Sequence, residues 1–344
     1  MPAAFKSFFL LFLLLFTGAC NAHPAVTFPE GKTVLFLDSL EAAHWVSRDA
    51  QEGFFEHIND LERSIQLHTD TVPTVAQYQE FLRRDVRSFS EKQKAWVGRE
   101  LEAIYTQCAL LSPHLLPDTL RLILTRSKYY GPSVYYTREK CIVIPENELR
   151  YDSGNLHEVL IHELFHILSR YHPQMRKALY GLIGFTRLEE PVILPESLKR
   201  RLLLNPDGSD FQWGIELKGS DGLTVLATPL LFSRYERYNP QRPYFFAHLD
   251  YQLFALEKDT LRGEYLVQVS PEGKSTLPPE YFGLYRARSG GNTEYLIHPD
   301  EIMADNFVQA VEGYDNPAAW EHFSEEGKAL LKAIVAYFNT WEGD

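Results

Sequence analysis

Cysteine is scarce in this sequence: three residues, Cys20, Cys108 and Cys141, in a chain of 344. No Cys-x-x-Cys pair occurs, which excludes a disulfide scaffold, a zinc finger and an iron–sulfur protein. Positive charge is also short. Lys and Arg number 34 against 46 Asp and Glu, a net charge of -12 at pH 7. A polyanion is repelled on average by such a chain, so nucleic acid is not an expected partner. No apolar run reaches the roughly 18 residues that a spanning helix needs. What is present is a globular composition, 45% hydrophobic, 23% charged and 13% aromatic. That is too apolar for disorder and is enough for one large domain or two ordinary ones.

The first segment reads as an address. Lys6 precedes the apolar run from Phe8 to Phe16, and small residues follow through Ala22. A cationic start, a short apolar core and a small-residue exit describe a secretory signal over residues 1–22. Gly18-Ala19-Cys20 also resembles the end of a bacterial lipobox, where the Cys is acylated. The expected location is the periplasm, or an outer-membrane lipoprotein facing the envelope, with membrane contact only through that N-terminal lipid. In an oxidising compartment Cys108 and Cys141 either pair or stay buried as free thiols.

The mature chain changes texture once. Phe54, Ile58, Leu61 and Ile65 recur at helical spacing, and so, less regularly, do Trp96, Leu101, Ile104 and Cys108. Residues 23–115 are therefore expected to form a helical N-terminal portion, and 116–344 a second region. There Leu120–Thr125, Val134–Thr137 and Cys141–Ile144 read as strands. Asn155 to Tyr171 reads as a helix, and Asn205-Pro206-Asp207-Gly208 as a turn. Strand-like runs dominate residues 205–297, with hairpin turns at Asp221-Gly222 and Gly290-Gly291-Asn292 and a helix near Phe245 to Leu256. Two further helices are expected from Pro299 to Gly313 and from Glu325 to Trp341. The fold class is α+β.

Within the helix Asn155 to Tyr171 stands His162-Glu163-Leu164-Phe165-His166. Two His four apart lie about 40° apart and one turn up a helix, so both imidazoles can reach one metal. Glu163 projects beside them, placed to hold and deprotonate a zinc-bound water. With 12 His in the chain, chance supplies the pattern roughly 0.05 times. Burying such polar side chains among Leu160, Leu164, Ile167 and Leu168 is costly without a partner. His157, five residues before His162, points about 140° away and is not expected to ligate.

Catalytic Zn2+ takes a third protein ligand and leaves a position for water. The residues after His166 lack the metzincin Gly and His, so a carboxylate is needed. Glu301 is preferred over Glu189, Glu190 and Glu196, because Glu301 and Asp305 share a helix face at i and i+4. One of them can ligate while the other fixes the tautomer of a liganding His.

These two motifs resemble the gluzincins, thermolysin-like and membrane-processing peptidases that pair HExxH with a downstream Glu-x-x-x-Asp or Glu-x-x-Ala-Asp. The resemblance implies a zincin-like catalytic domain, a small mixed sheet with the motif helix, carrying a β-rich insertion. It also implies His162, His166 and Glu301 as zinc ligands, Glu163 as base and Asp305 as partner of a His. The implied function is zinc-dependent hydrolysis of peptide bonds in the bacterial cell envelope, with a peptide or protein as substrate. The strand Cys141–Ile144 would form the cleft edge that pairs with substrate, and Tyr295 or His298 would stabilise the oxyanion. The alternatives are an envelope-anchored binding protein that keeps the zincin fold and its zinc without turnover, and a zinc carrier or sensor.

Overall fold

The computed structural model describes residues 25–127, 130–131, 133–150 and 154–343. The expected signal segment, with Cys20, lies outside the described residues. Six strands make the first sheet: β1 (Ala25–Thr27), β2 (Thr33–Phe36), β3 (Val86–Arg87), β4 (Thr119–Thr125), β5 (Tyr136–Arg138) and β6 (Cys141–Pro145). Their order is β1-β2-β4-β6-β5, with β3 also paired to β4. β2, β4 and β6 run parallel, while β1 and β5 are antiparallel to their neighbours.

The sheet is buried on both faces, and its side chains sort by alternation. Leu120, Leu122, Leu124, Ile142 and Ile144 enter one apolar cluster. Ile123, Cys141 and Val143 enter the other. The helices α1 (Ser39–Val46), α2 (Phe54–His57), α3 (Asp60–Gln66) and α4 (Val75–Asp85) supply Ala42, Phe54, Ile65 and Leu82 to the second cluster. Helix α5 (Glu91–Leu111) packs Val97, Leu101 and Ile104 into the first. The helical segment after residue 38 therefore wraps both faces of a sheet that it shares with the later strands. Cys108 and Cys141 are buried free thiols, and they sit in different clusters on opposite faces of the sheet.

The motif helix α6 (Leu156–Tyr171) follows, then α7 (Pro173–Leu182), whose N-terminal Pro173 starts a new direction. Beyond it lies the second sheet, ordered β7-β9-β10-β11-β12-β8. Its strands are β7 (Phe185–Arg187), β8 (Val192–Ile193), β9 (Trp213–Lys218), β10 (Thr224–Ser233), β11 (Leu249–Asp259) and β12 (Glu264–Val267). Short helices α8 (Glu196–Lys199) and α9 (Phe245–His248) punctuate it, and α10 (Glu280–Arg288) follows. Helices α11 (Pro299–Glu312) and α12 (Glu325–Phe338) then return to the first cluster, where Phe307 and Ile334 are fully buried. The protein is thus α+β with two mixed sheets. No helix among the described residues is long and apolar enough to cross a membrane.

Three expectations need correction. Cys141–Ile144 is not a cleft edge, because β6 is paired on both sides and the edge strand is β5. Leu249 to Leu256 is strand, and only Phe245–His248 is helical. Leu253 joins one cluster and Phe254 and Leu256 another, and a strand buried on both faces loses the alternation that would identify it. Gly290-Gly291-Asn292 closes α10 rather than a hairpin, with φ of +90° and +67° at the two glycines.

Candidate metal centre

The buried stripe of α6 carries the motif. Leu160, Leu164, Ile167 and Leu168 are at most 2% exposed, and they anchor the helix so that His162, Glu163 and His166 face α11. Helix α11 starts on His298, whose Nδ1 accepts from the Asp300 backbone N–H at 3.1 Å, with Pro299 next. Asp300 and Glu301 occupy its first turn, where the helix dipole favours acids. His298 is engaged at both ring nitrogens, the second meeting the Asp210 carbonyl at 3.3 Å. It is a cap rather than an oxyanion donor.

The two helices bring the residues together with one repeated logic. His162 Nδ1 donates to Asp305 Oδ1 at 2.9 Å, and His166 Nδ1 donates to Asp300 Oδ2 at 2.7 Å. Each ring is therefore oriented by a carboxylate and presents Nε2. His162 Nε2 lies 3.0 Å from Glu301 Oε2, and His166 Nε2 lies 3.6 Å from the same oxygen. His166 Nε2 is buried without a partner at hydrogen-bond distance. Glu301 Oε1 is held by Asn205 Nδ2 at 2.6 Å, which leaves Oε2 to the imidazoles. His162, His166 and Glu301 offer ligand atoms that all lie within 4.8 Å of one another. Two imidazole nitrogens, one of them buried and orphaned, and a carboxylate oxygen fit a divalent cation.

Charge separation follows from burial and pairing. Burial alone would lower His162, but hydrogen bonds to Asp305 and Glu301 outweigh it and push the imidazole up to about 10. His166 is raised in the same way by Glu301, Asp207 and Asp300, again against burial. Burial would raise Glu301, and the two His hold it well below the usual carboxylate range. Glu163 behaves in the opposite sense. Burial first, and the charge of Asp207 second, push it up to about 8. Its Oε2 is buried without a hydrogen-bond partner.

Asp300, Asn205 and Asp207 are the site residues that sequence reasoning missed. Asp300 also accepts from the Tyr180 hydroxyl, and Asp305 accepts from the Thr293 hydroxyl. Asn205 and Asp207 belong to the segment read as a turn; it is one, and all of residues 201–209 are buried. The Gly208 position explains the close fit, since a Cβ there would collide with the His298 ring. Glu189 and Glu196 are exposed, and Glu190 pairs with Lys258. His157 turns away to Gln107 and Glu100.

A cavity of about 640 Å³ opens over the centre. His162, Glu163, His166, Glu301 and Tyr295 line it, with an apolar wall of Tyr130, Val134, Phe245, Phe246 and Leu249. The Tyr295 ring lies 6.3 Å from the His162 ring. Comparison of the chain with protein-family models, curated proteins and solved structures finds no match.

Proposed function

We propose that this chain is a zinc-dependent hydrolase of peptide bonds, built on the gluzincin plan and acting in the bacterial cell envelope. The observation that carries the reading is the convergence of two carboxylate-oriented imidazoles on Glu301 Oε2 beneath a cavity. Zinc is favoured over magnesium or calcium because two nitrogen donors face the centre. A bound Zn2+ would supply Lewis-acid polarisation of the scissile carbonyl and acidify a coordinated water.

The chain's own residues do the rest. Glu163 lines the cavity beside both His, and its Oε2 is buried without a hydrogen-bond partner. It takes the proton from the attacking water and delivers it to the leaving amine. Its raised pKa suits a base that must afterwards act as an acid, and the charge of a bound cation would pull that value back toward neutrality. Asp300 and Asp305 keep the imidazoles in the tautomer that presents Nε2. Tyr295 is the phenol facing the centre and the candidate donor to the developing oxyanion. The signal-like sequence pattern of residues 1–22 accords with the envelope location.

Glu163→Gln is the test. The variant should bind zinc as the parent does and lose cleavage of a peptide library by at least about a hundredfold. Unchanged turnover rejects the role of Glu163. Zinc bound at full occupancy with no hydrolysis by the parent leaves the binding-protein reading instead.

A further inference from the structure

The cleft beside the centre is blocked along one direction. β5 is the edge strand of the first sheet, and it pairs with β6 through Thr137 and Ile142 in register. Thr137 N–H points away from β6, toward the edge where an extended peptide would pair. That N–H is already taken: it donates to Asp207 Oδ1 at 2.6 Å, and the Thr137 hydroxyl donates to the same oxygen at 2.5 Å. Asp207 sits in the wholly buried segment 201–209, so a substrate strand cannot continue past Thr137. Upstream, Ser133, Val134 and Tyr135 line the cavity. There the wall is apolar, with Phe245 against Tyr130 at 5.1 Å and Phe246 beside Gly131.

The closed end is acidic. Asp207, Glu163 and His166 carry donor atoms within 4.8 Å of one another, and Glu163 Oε2 is buried and unpartnered there. No Lys or Arg lines the cavity among the described residues. Arg170 approaches Asp207 Oδ1 only at 3.9 Å and is shared with Glu52 at 3.5 Å. An ammonium group at this end would meet the Asp207 carboxylate as a charge-assisted partner.

We propose that the site accepts the free N-terminus of a peptide, its α-ammonium against Asp207, and releases residues from that end. The inference rests on the peptidase reading above. Water adds across the first peptide bond, its OH to the carbonyl carbon and its proton to the leaving amine, giving a free amino acid and a shortened peptide. The remainder of the substrate runs along Tyr135 toward the aromatic wall.

The test uses the zinc-loaded full chain with three forms of one peptide: free at both ends, N-acetylated, and C-amidated. The free and amidated forms should lose N-terminal residues, seen by mass spectrometry. Acetylation should slow cleavage by at least about tenfold, the scale of a lost charge-assisted contact. Calorimetry on Glu163→Gln should show weaker binding of the acetylated form, without reliance on turnover. Asp207→Asn should narrow the ratio between free and acetylated peptides, a comparison independent of how much variant folds. Internal cuts at equal rates in free and acetylated peptides overturn the inference while keeping the peptidase. Dependence on a free C-terminus does the same. No cleavage of any form removes the peptidase reading and this inference with it.

Discussion

Asp300 and Asp305 perform the same task from different environments, and that contrast yields a graded prediction. Asp300 is 1% exposed and accepts from both His166 and Tyr180. The Asp305 side chain is 34% exposed and accepts from His162 and Thr293. Asp300→Asn removes the charge that stabilises the His166 imidazole, and it puts an N–H₂ where one of two buried donors now finds an acceptor. A buried hydrogen bond to a charged group is worth about 1.5–3 kcal/mol, and outer-shell partners typically set metal affinity by about 10- to 100-fold. The Asp300 variant should fall at the upper end of that range. Asp305→Asn should fall at or below the lower end, because water screens the exposed carboxylate. Competition for zinc against a chromophoric chelator measures both constants, and urea unfolding without metal checks that each variant folds. An Asp300→Asn affinity equal to that of the parent, or a larger loss at Asp305, would refute the reasoning.

Further predictions concern protons. Both imidazoles are held protonated by Glu301 and their Asp partners, so metal binding at pH 7 should release about two protons from the Nε2 positions, and up to about one more from Glu163 as the cation lowers it. Affinity should rise with pH, and calorimetry in buffers of different ionisation enthalpy should report the release; zero net release would contradict the ion-paired arrangement. Glu62 is fully buried, accepts from Leu204 N–H at 3.0 Å and Gln66 at 3.0 Å, and is pushed up to about 8 by burial. A carboxyl raised on folding stabilises below its ordinary value and loses that contribution as pH climbs to about 8, at up to about 1.4 kcal/mol per pH unit. The stability difference between Glu62→Gln and the parent should therefore grow in favour of the variant across that window, and a pH-independent difference in urea melts would show ordinary titration.

The motif helix and the Glu301–Asp305 pair were legible because helical periodicity fixes relative direction over four residues, whatever the tertiary context. The first sheet was legible in Leu120–Thr125 and Cys141–Ile144, where apolar runs lie between turn residues. Its strand order was not. Sequence shows no partner for β6, so the edge passed to the wrong strand. The segment 205–209 illustrates the second limit. Asn-Pro-Asp-Gly has the chemistry of an exposed turn, and only the packing of Gly208 under His298 and of Asn205 on Glu301 turns it inward. Asp300 was hidden for a different reason. Two adjacent acids at a helix start are ordinary, and which of them meets both imidazoles and which orients His166 follows from where α6 lies against α11.

X-ray absorption at the zinc edge of the loaded protein tests the central claim most directly. The account predicts a site of nitrogen and oxygen donors at roughly 2.0–2.2 Å, at one zinc per chain, with histidine scattering lost in His162→Ala and occupancy lost in Glu301→Ala. Sulfur scattering, or a spectrum unchanged by those substitutions, would contradict it.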